Sequence, residues 1–178
     1  MNYAYTIGQW LDEASSAQAL DLSLSEAGLW HVYREVPGML SQPRPSQLER
    51  TLRIDRVLLP TQRLLDLGWK HGAVGIEVKR SGVKIGPPIA QAMDYSRAVW
   101  TLPGLGVKVW LDWVFLWPMD RQTGAMASIL AQNRIGCAYS SKWIVLHLKS
   151  GEANLIKIDR DGRIDIGEAR NGQKVGSR

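Results

Sequence analysis

The chain has 178 residues, 45% of them hydrophobic and 22% charged, with a formal net charge of +5. Such a balance belongs to a soluble globular domain able to bury its own core, and no stretch reaches the roughly 20 apolar residues of a membrane span. The single cysteine, Cys137, excludes an internal disulfide and a cysteine-held cluster.

Residues 6–27 read as a helix stopped by Gly28. Residues 29–36 read as a strand in which Trp30, Val32 and Glu35 break strict alternation, closed by Pro37-Gly38. Two prolines make 41–46 a loop. A second strand, 51–59, carries Asp55. Residues 60–72 connect it, with a helical turn at 62–67, to a third strand ending in Glu77-Val78-Lys79, and 82–86 form a turn. Pro87-Pro88 opens a helix in which Ile89, Ala92, Met93, Ser96, Val99 and Trp100 share one face at helical spacing; its expected stop is Pro103-Gly104. A long strand at 108–117 and a helix at 124–132, stopped near Gly136, come next. Short strands at 137–140, 143–148 and 155–158 finish the pattern, with turns at Ser150-Gly151 and Asp161-Gly162. This order predicts an α/β fold, a mixed sheet between helices, in one domain over 1–166 with a polar, flexible tail at 167–178.

The most informative stretch is Ala73-Val74-Gly75-Ile76 running into Glu77-Val78-Lys79. On a strand, alternate side chains point to opposite faces. Val74, Ile76 and Val78 then face a core, while Gly75, Glu77 and Lys79 share the other side, the glycine leaving room for a bulky group to approach. With Asp55 on a neighbouring strand, two carboxylates and a lysine suit a divalent metal with a charged helper, the apparatus of phosphodiester hydrolysis. Asp55, Glu77 and the carbonyl of Val78 are the expected metal ligands. Glu13, on the first helix, is the expected third acid, ahead of Glu26 and Glu35. Lys79 is placed to orient a water or to neutralise charge building on phosphate oxygens.

Basic residues crowd the same segments, and Arg53, Arg56, Arg80 and Lys84 are the expected contacts to a nucleic acid. Gln91 and Tyr95, four apart on the helix, stack on one side roughly 100–120° from the apolar stripe. They are expected to flank the core and reach the site or a DNA strand. Trp110, Trp113 and Trp117 share one strand; base stacking there is one reading, core packing the favoured one. His31, His71 and His147 lack zinc spacing. Gly104-Leu105-Gly106 lacks the following helix of a dinucleotide loop, and Ser140-Ser141-Lys142 lacks the context of a nucleophile.

Taken together, Asp55, Glu77-Val78-Lys79 and Gln91-Ala92-Met93-Asp94-Tyr95 resemble the motifs of the PD-(D/E)XK nuclease superfamily. The Gln91/Tyr95 pair is similar to the Q-x-x-x-Y motif of its RecB-like branch. The resemblance covers about residues 8–100; Ile54 stands where the name-giving proline would be, and the cysteines of the iron–sulfur members are missing. It implies a restriction-endonuclease-like core, a central mixed β-sheet flanked by helices. It also implies Mg²⁺ dependence, with Mn²⁺ as a substitute and neither zinc nor an iron–sulfur cluster, and DNA as the partner. Asp55, Glu77, Lys79, Gln91 and Tyr95 would be its catalytic set. The expectation is therefore a Mg²⁺-dependent DNA nuclease of phage or bacterial DNA processing, recombination or defence. Met1 to Tyr5 carry no secretory-signal pattern, so the cytoplasm is the expected location, away from any membrane; size permits a homodimer. A Holliday-junction resolvase, a restriction endonuclease and a non-catalytic DNA-binding module of the same fold are the alternatives.

Overall fold

The computed structural model describes residues 12–42, 51–66, 69, 71–80, 82–119, 124–140, 144–150, 152–158 and 164–169. Helix α1 (Glu13–Ala27) starts on Asp12, whose carboxylate accepts the Ser15 N–H at 2.7 Å, and ends on Gly28 at φ 60°. An acidic N-cap satisfies a free N–H of the first turn, and a left-handed glycine closes the last one. Residues 6–11 of the expected helix lie outside the described residues.

Strands β1 (Trp30–Leu40) and β2 (Leu52–Pro60) pair antiparallel from Trp30↔Pro60 to Gly38↔Leu52. Contrary to expectation, β1 does not close at Pro37-Gly38. Pro37 lies one residue ahead of the pairing with the later strand β4 (Ala98–Thr101), which begins at Gly38, so the missing N–H falls outside that ladder. Gly38 sits against the indole of Trp100, and a β-carbon there would collide with the ring. The broken alternation has a cause in Glu35, which holds a positive φ of 49°. Around it the two strands change faces: Tyr33 and Val36, three apart, turn to one core cluster while Val32 turns to the other. Ile54 and Val57 repeat this on β2.

Helix α2 (Gln62–Asp66) is the expected turn of helix, and β3 (Ala73–Val78) the expected strand. Helix α3 (Gly86–Tyr95) has its prolines in the first turn but stops at Tyr95, well before Pro103. Residues 98–101, rich in branched and aromatic side chains, make β4 instead. Ile89, Ala92 and Met93 do face the core, and Trp100 reaches that core from β4. Strand β5 (Lys108–Trp117) and helix α4 (Gly124–Gln132) fall where expected. The helix is stopped at Arg134, at φ 57°, two residues before Gly136, which already belongs to β6 (Ile135–Ser140). Strands β7 (Ile144–Ser150), β8 (Glu152–Ile158) and β9 (Ile164–Ala169) follow. β9 takes in Gly167, Glu168 and Ala169, paired with Leu155, Asn154 and Ala153, from the stretch expected to be a tail. Residues 161 and 162 lie outside the described residues.

Among the described residues the sheet runs β3-β2-β1-β4-β5-β6-β7-β8-β9, with β3 also paired to β5. That extra pairing closes β1 to β5 into a ring. β3–β5 and β5–β6 are parallel and the other pairs antiparallel, so the sheet is mixed. One apolar layer joins Leu20 and Leu24 of α1 and Leu64 of α2 to Ile76 and Phe115. The other joins Ile89 and Ala92 of α3 and Leu130 of α4 to Ile54 and Leu116. The fold is α/β, with helices on both faces of the sheet.

Candidate active site

The site lies where β2 and β3 part. Their antiparallel ladder runs from Leu58↔Val74 to Arg56↔Ile76 and stops. The next positions, Asp55 and Glu77, make no ladder pair. A side chain takes over instead: Asp55 Oδ2 accepts the Val78 N–H at 2.6 Å. The other edge of β3 stays zipped to β5, with Glu77↔Leu116 and Val78↔Trp117 in register and the Lys79 N–H donating to the Trp117 carbonyl at 2.6 Å. Helix α1 reaches the same strand end, since Trp117 Nε1 donates to the Ser16 carbonyl at 2.9 Å. One edge of β3 is thus fixed by two neighbours while the edge toward Asp55 is open.

Into this gap point the two acids and the lysine. The Glu77 side chain is 5% exposed and that of Lys79 17%, and Lys79 Nζ donates to Glu77 Oε1 at 2.6 Å. Glu77 Oε2 is buried and finds no hydrogen-bond partner among the described residues. Burial foremost, and then the nearby Asp55 charge, raise the Glu77 pKa from the ordinary 4.5 to about 7, against the pull of Lys79. A proton shared with the Asp55 carboxylate, which requires one acid to stay protonated, favours the acid form further. With both ionised, Oε2 is an unpaired acceptor in a dry place, an arrangement that costs free energy until a proton or a cation meets it.

Other expected residues fall differently. Glu13 is exposed in the first turn of α1, and among the described residues no three His, Cys, Asp or Glu side chains stand together as a metal site. Tyr95 is buried rather than flanking the core: its hydroxyl donates to the Arg53 carbonyl at 2.6 Å, its ring packs edge-on to Trp100, and Gln91 Nε2 donates to its oxygen. The pair therefore tethers α3 to β2, two residues from Asp55. Being buried, Tyr95 presents no ring for a base to stack on.

Arg56 is a correction too. It is buried, and its guanidinium grips both oxygens of Asp21 on α1 at 2.7 and 2.9 Å while donating to the Asp55 carbonyl at 2.7 Å. It holds the fold and has nothing to offer a phosphate. Arg53, Arg80 and Lys84 are exposed, with Arg53 3.3 Å from Glu35. Gly75 makes room for the side chains of Ile54 and Leu111, not for a ligand. The sequence reading passed over Asp21. Its neighbours on α1, Leu20 and Leu24, are core, and a carboxylate at the margin of such a stripe needs a cation; that was the available signal.

No protein-family model matches the chain, and no curated protein or solved structure is significantly similar to it.

Proposed function

We propose that this protein is a metal-dependent deoxyribonuclease that hydrolyses phosphodiester bonds at Asp55, Glu77 and Lys79, in bacterial or phage DNA processing, recombination or defence. One observation carries the reading. The open edge of β3 gathers two carboxylates, a lysine and an orphaned buried oxygen, Glu77 Oε2, within one strand end.

The donors fit Mg²⁺, a hard cation commonly held by one or two carboxylates with its remaining positions left for water and phosphate oxygens. Asp55 and Glu77 would hold it. The Val78 carbonyl leaves the strand on the same edge as the N–H bound by Asp55 and is the natural third oxygen. When bound, the ion supplies an acidified water and a counter-charge for the phosphorane.

The chain's own residues do the rest. Glu77, whose pKa is raised to about 7 by burial and the Asp55 charge, would release any proton it carries to solvent on holding the ion. Lys79, held beside the site by its bond to Glu77 Oε1, would offer its remaining N–H donors to the attacking water or to a phosphate oxygen. Asp55 stays anchored by the Val78 N–H, so its free oxygen keeps a fixed direction. The Gln91–Tyr95–Arg53 chain and the Arg56 clamp on the Asp55 carbonyl hold β2 at the distance the gap needs.

A second reading has an observation of its own: among the described residues no third acid joins Asp55 and Glu77. A DNA-binding module of this fold that does not cut would look the same. Cleavage assays with Mg²⁺ or Mn²⁺ on single-stranded, duplex and junction DNA, run beside Glu77→Gln and Lys79→Ala, separate the two. Cutting lost in both variants supports the nuclease; binding without cutting of any substrate supports the module.

A further inference from the structure

The outer face of the ring opposite the core carries an unabsorbed feature, Trp110. Directly paired residues in a sheet point to the same side. Met39 pairs with Val99, and Val99 with Trp110, so these three form one row across β1, β4 and β5. Their inward neighbours Gly38, Ala98, Trp100 and Leu111 are buried. Met39 is 62% exposed and Trp110 59%. Of the three tryptophans on β5, Trp113 and Trp117 are core and Trp110 lies on the surface.

Exposed cations border the row, with two carboxylates interspersed: Glu35 is 3.3 Å from Arg53, and the half-buried Asp112 lies two residues past Trp110 on β5. Lys108, two residues before Trp110, shares its direction by strand alternation and is exposed, and Arg97, in the turn just ahead of β4, is exposed as well. Arg53, opposite Pro37 on β2, adds a third exposed cation. The row is three residues, far fewer than the roughly 20–30 a side of a stable contact with a second copy; across three strands it spans roughly 10 Å. An exposed indole and thioether bordered by cations are suited to unstacked bases lying on the aromatic ring while phosphates meet the cations. The row also leads somewhere: Met39 lies three residues along β1 from Val36, which pairs with Ile54, the residue before Asp55, a span of roughly 10 Å.

We infer that the face formed by Met39, Val99 and Trp110, rimmed by Arg53, Arg97 and Lys108, is a single-stranded nucleic-acid path leading to the β2–β3 gap. The path deepens the nuclease reading and rests on it for its purpose, but binding is measurable without cleavage.

The test is fluorescence anisotropy with a labelled oligothymidylate at low salt in EDTA, where no metal-dependent cutting occurs. Trp110→Ala is expected to weaken binding about tenfold, and Trp110→Phe, which keeps a stacking ring, by no more than about threefold. Lys108→Glu weakens binding and flattens its salt dependence. Duplex DNA of the same length, whose base faces are covered, loses less than about twofold on Trp110→Ala. Oligothymidylate affinity unchanged in both Trp110→Ala and Lys108→Glu overturns the inference. So does sedimentation showing that Trp110→Ala turns a dimer into a monomer with oligonucleotide affinity intact, since the row then belongs to a second copy. Tight, Trp110-dependent binding by a protein that cuts nothing leaves the path standing and removes the nuclease reading.

Discussion

Asp55 accepts the main-chain N–H of Val78 at 2.6 Å, just beyond the point where the ladder between their strands ends. A carboxylate there does the work of a missing strand residue, and that lets β2 and β3 separate without leaving a buried donor unpaired. The gap and the acid that lines it have one cause.

The first prediction follows from that double duty. Asp55→Ala removes the acceptor as well as the charge, and should cost about 1–3 kcal/mol of stability. Asp55→Asn keeps an acceptor oxygen for Val78, so urea unfolding should place it near the parent protein, while divalent-cation binding is lost in both variants by calorimetry.

Glu77 gives a pH dependence with a defined sign. Its pKa is raised in the folded state from 4.5 to about 7. The folded protein thus binds this proton more tightly than the unfolded chain does, and stability falls as pH rises from about 4.5 to 7 and stays reduced above that. The penalty is on the order of 3 kcal/mol. Denaturant titrations of the metal-free protein across this range should show the decline, and Glu77→Gln should flatten it. Added Mg²⁺ should recover stability above pH 7 in the parent and not in the variant.

Arg56 should be the costliest single loss near the site. Replacing it with methionine leaves Asp21 only the exposed Arg34, 3.1 Å away, and frees the Asp55 carbonyl; with that partner remaining, the loss should lie at the low end of a broken buried pair, about 3 kcal/mol. Arg56→Lys should recover only part of this, because an ammonium lacks the fork that spans both Asp21 oxygens. Thermal unfolding of the two variants checks both statements.

Much of this was legible from the residues alone. Glu77 and Lys79 were paired by strand alternation and Asp55 by its place in a similar run on a neighbouring strand, and they do meet at one strand end, because alternation along a short, doubly covered strand such as β3 is rigidly kept. On β1 the residues showed that alternation breaks near Glu35 but not why, since the positive φ there is a backbone angle that a non-glycine residue does not announce. The residues of β4 mimicked helical spacing because Trp100 enters the same core as Ile89 and Ala92. What separates a strand from a helix there is hydrogen bonding to the distant β1 and β5, which local spacing does not encode. Arg56 and Tyr95 were misjudged for a related reason: polarity predicted exposure, whereas long-range partners on α1 and β2 satisfied both in the interior.

Gly38 offers a test of the fold apart from the chemistry. The Trp100 ring against it is fully buried and has no space to retreat. Gly38→Ala should cost about 1–3 kcal/mol by overpacking, in contrast to Gly86→Ala, where a β-carbon meets nothing. Urea midpoints of the two variants make the comparison.

The account stands most directly on cleavage of DNA by the purified protein with Mg²⁺, measured beside Asp55→Asn, Glu77→Gln and Lys79→Ala. The prediction is cutting by the parent that stops in EDTA, with each variant slower by roughly 10²-fold or more yet still binding DNA. No cutting of any DNA form with Mg²⁺ or Mn²⁺, or cutting that survives all three substitutions, would contradict it.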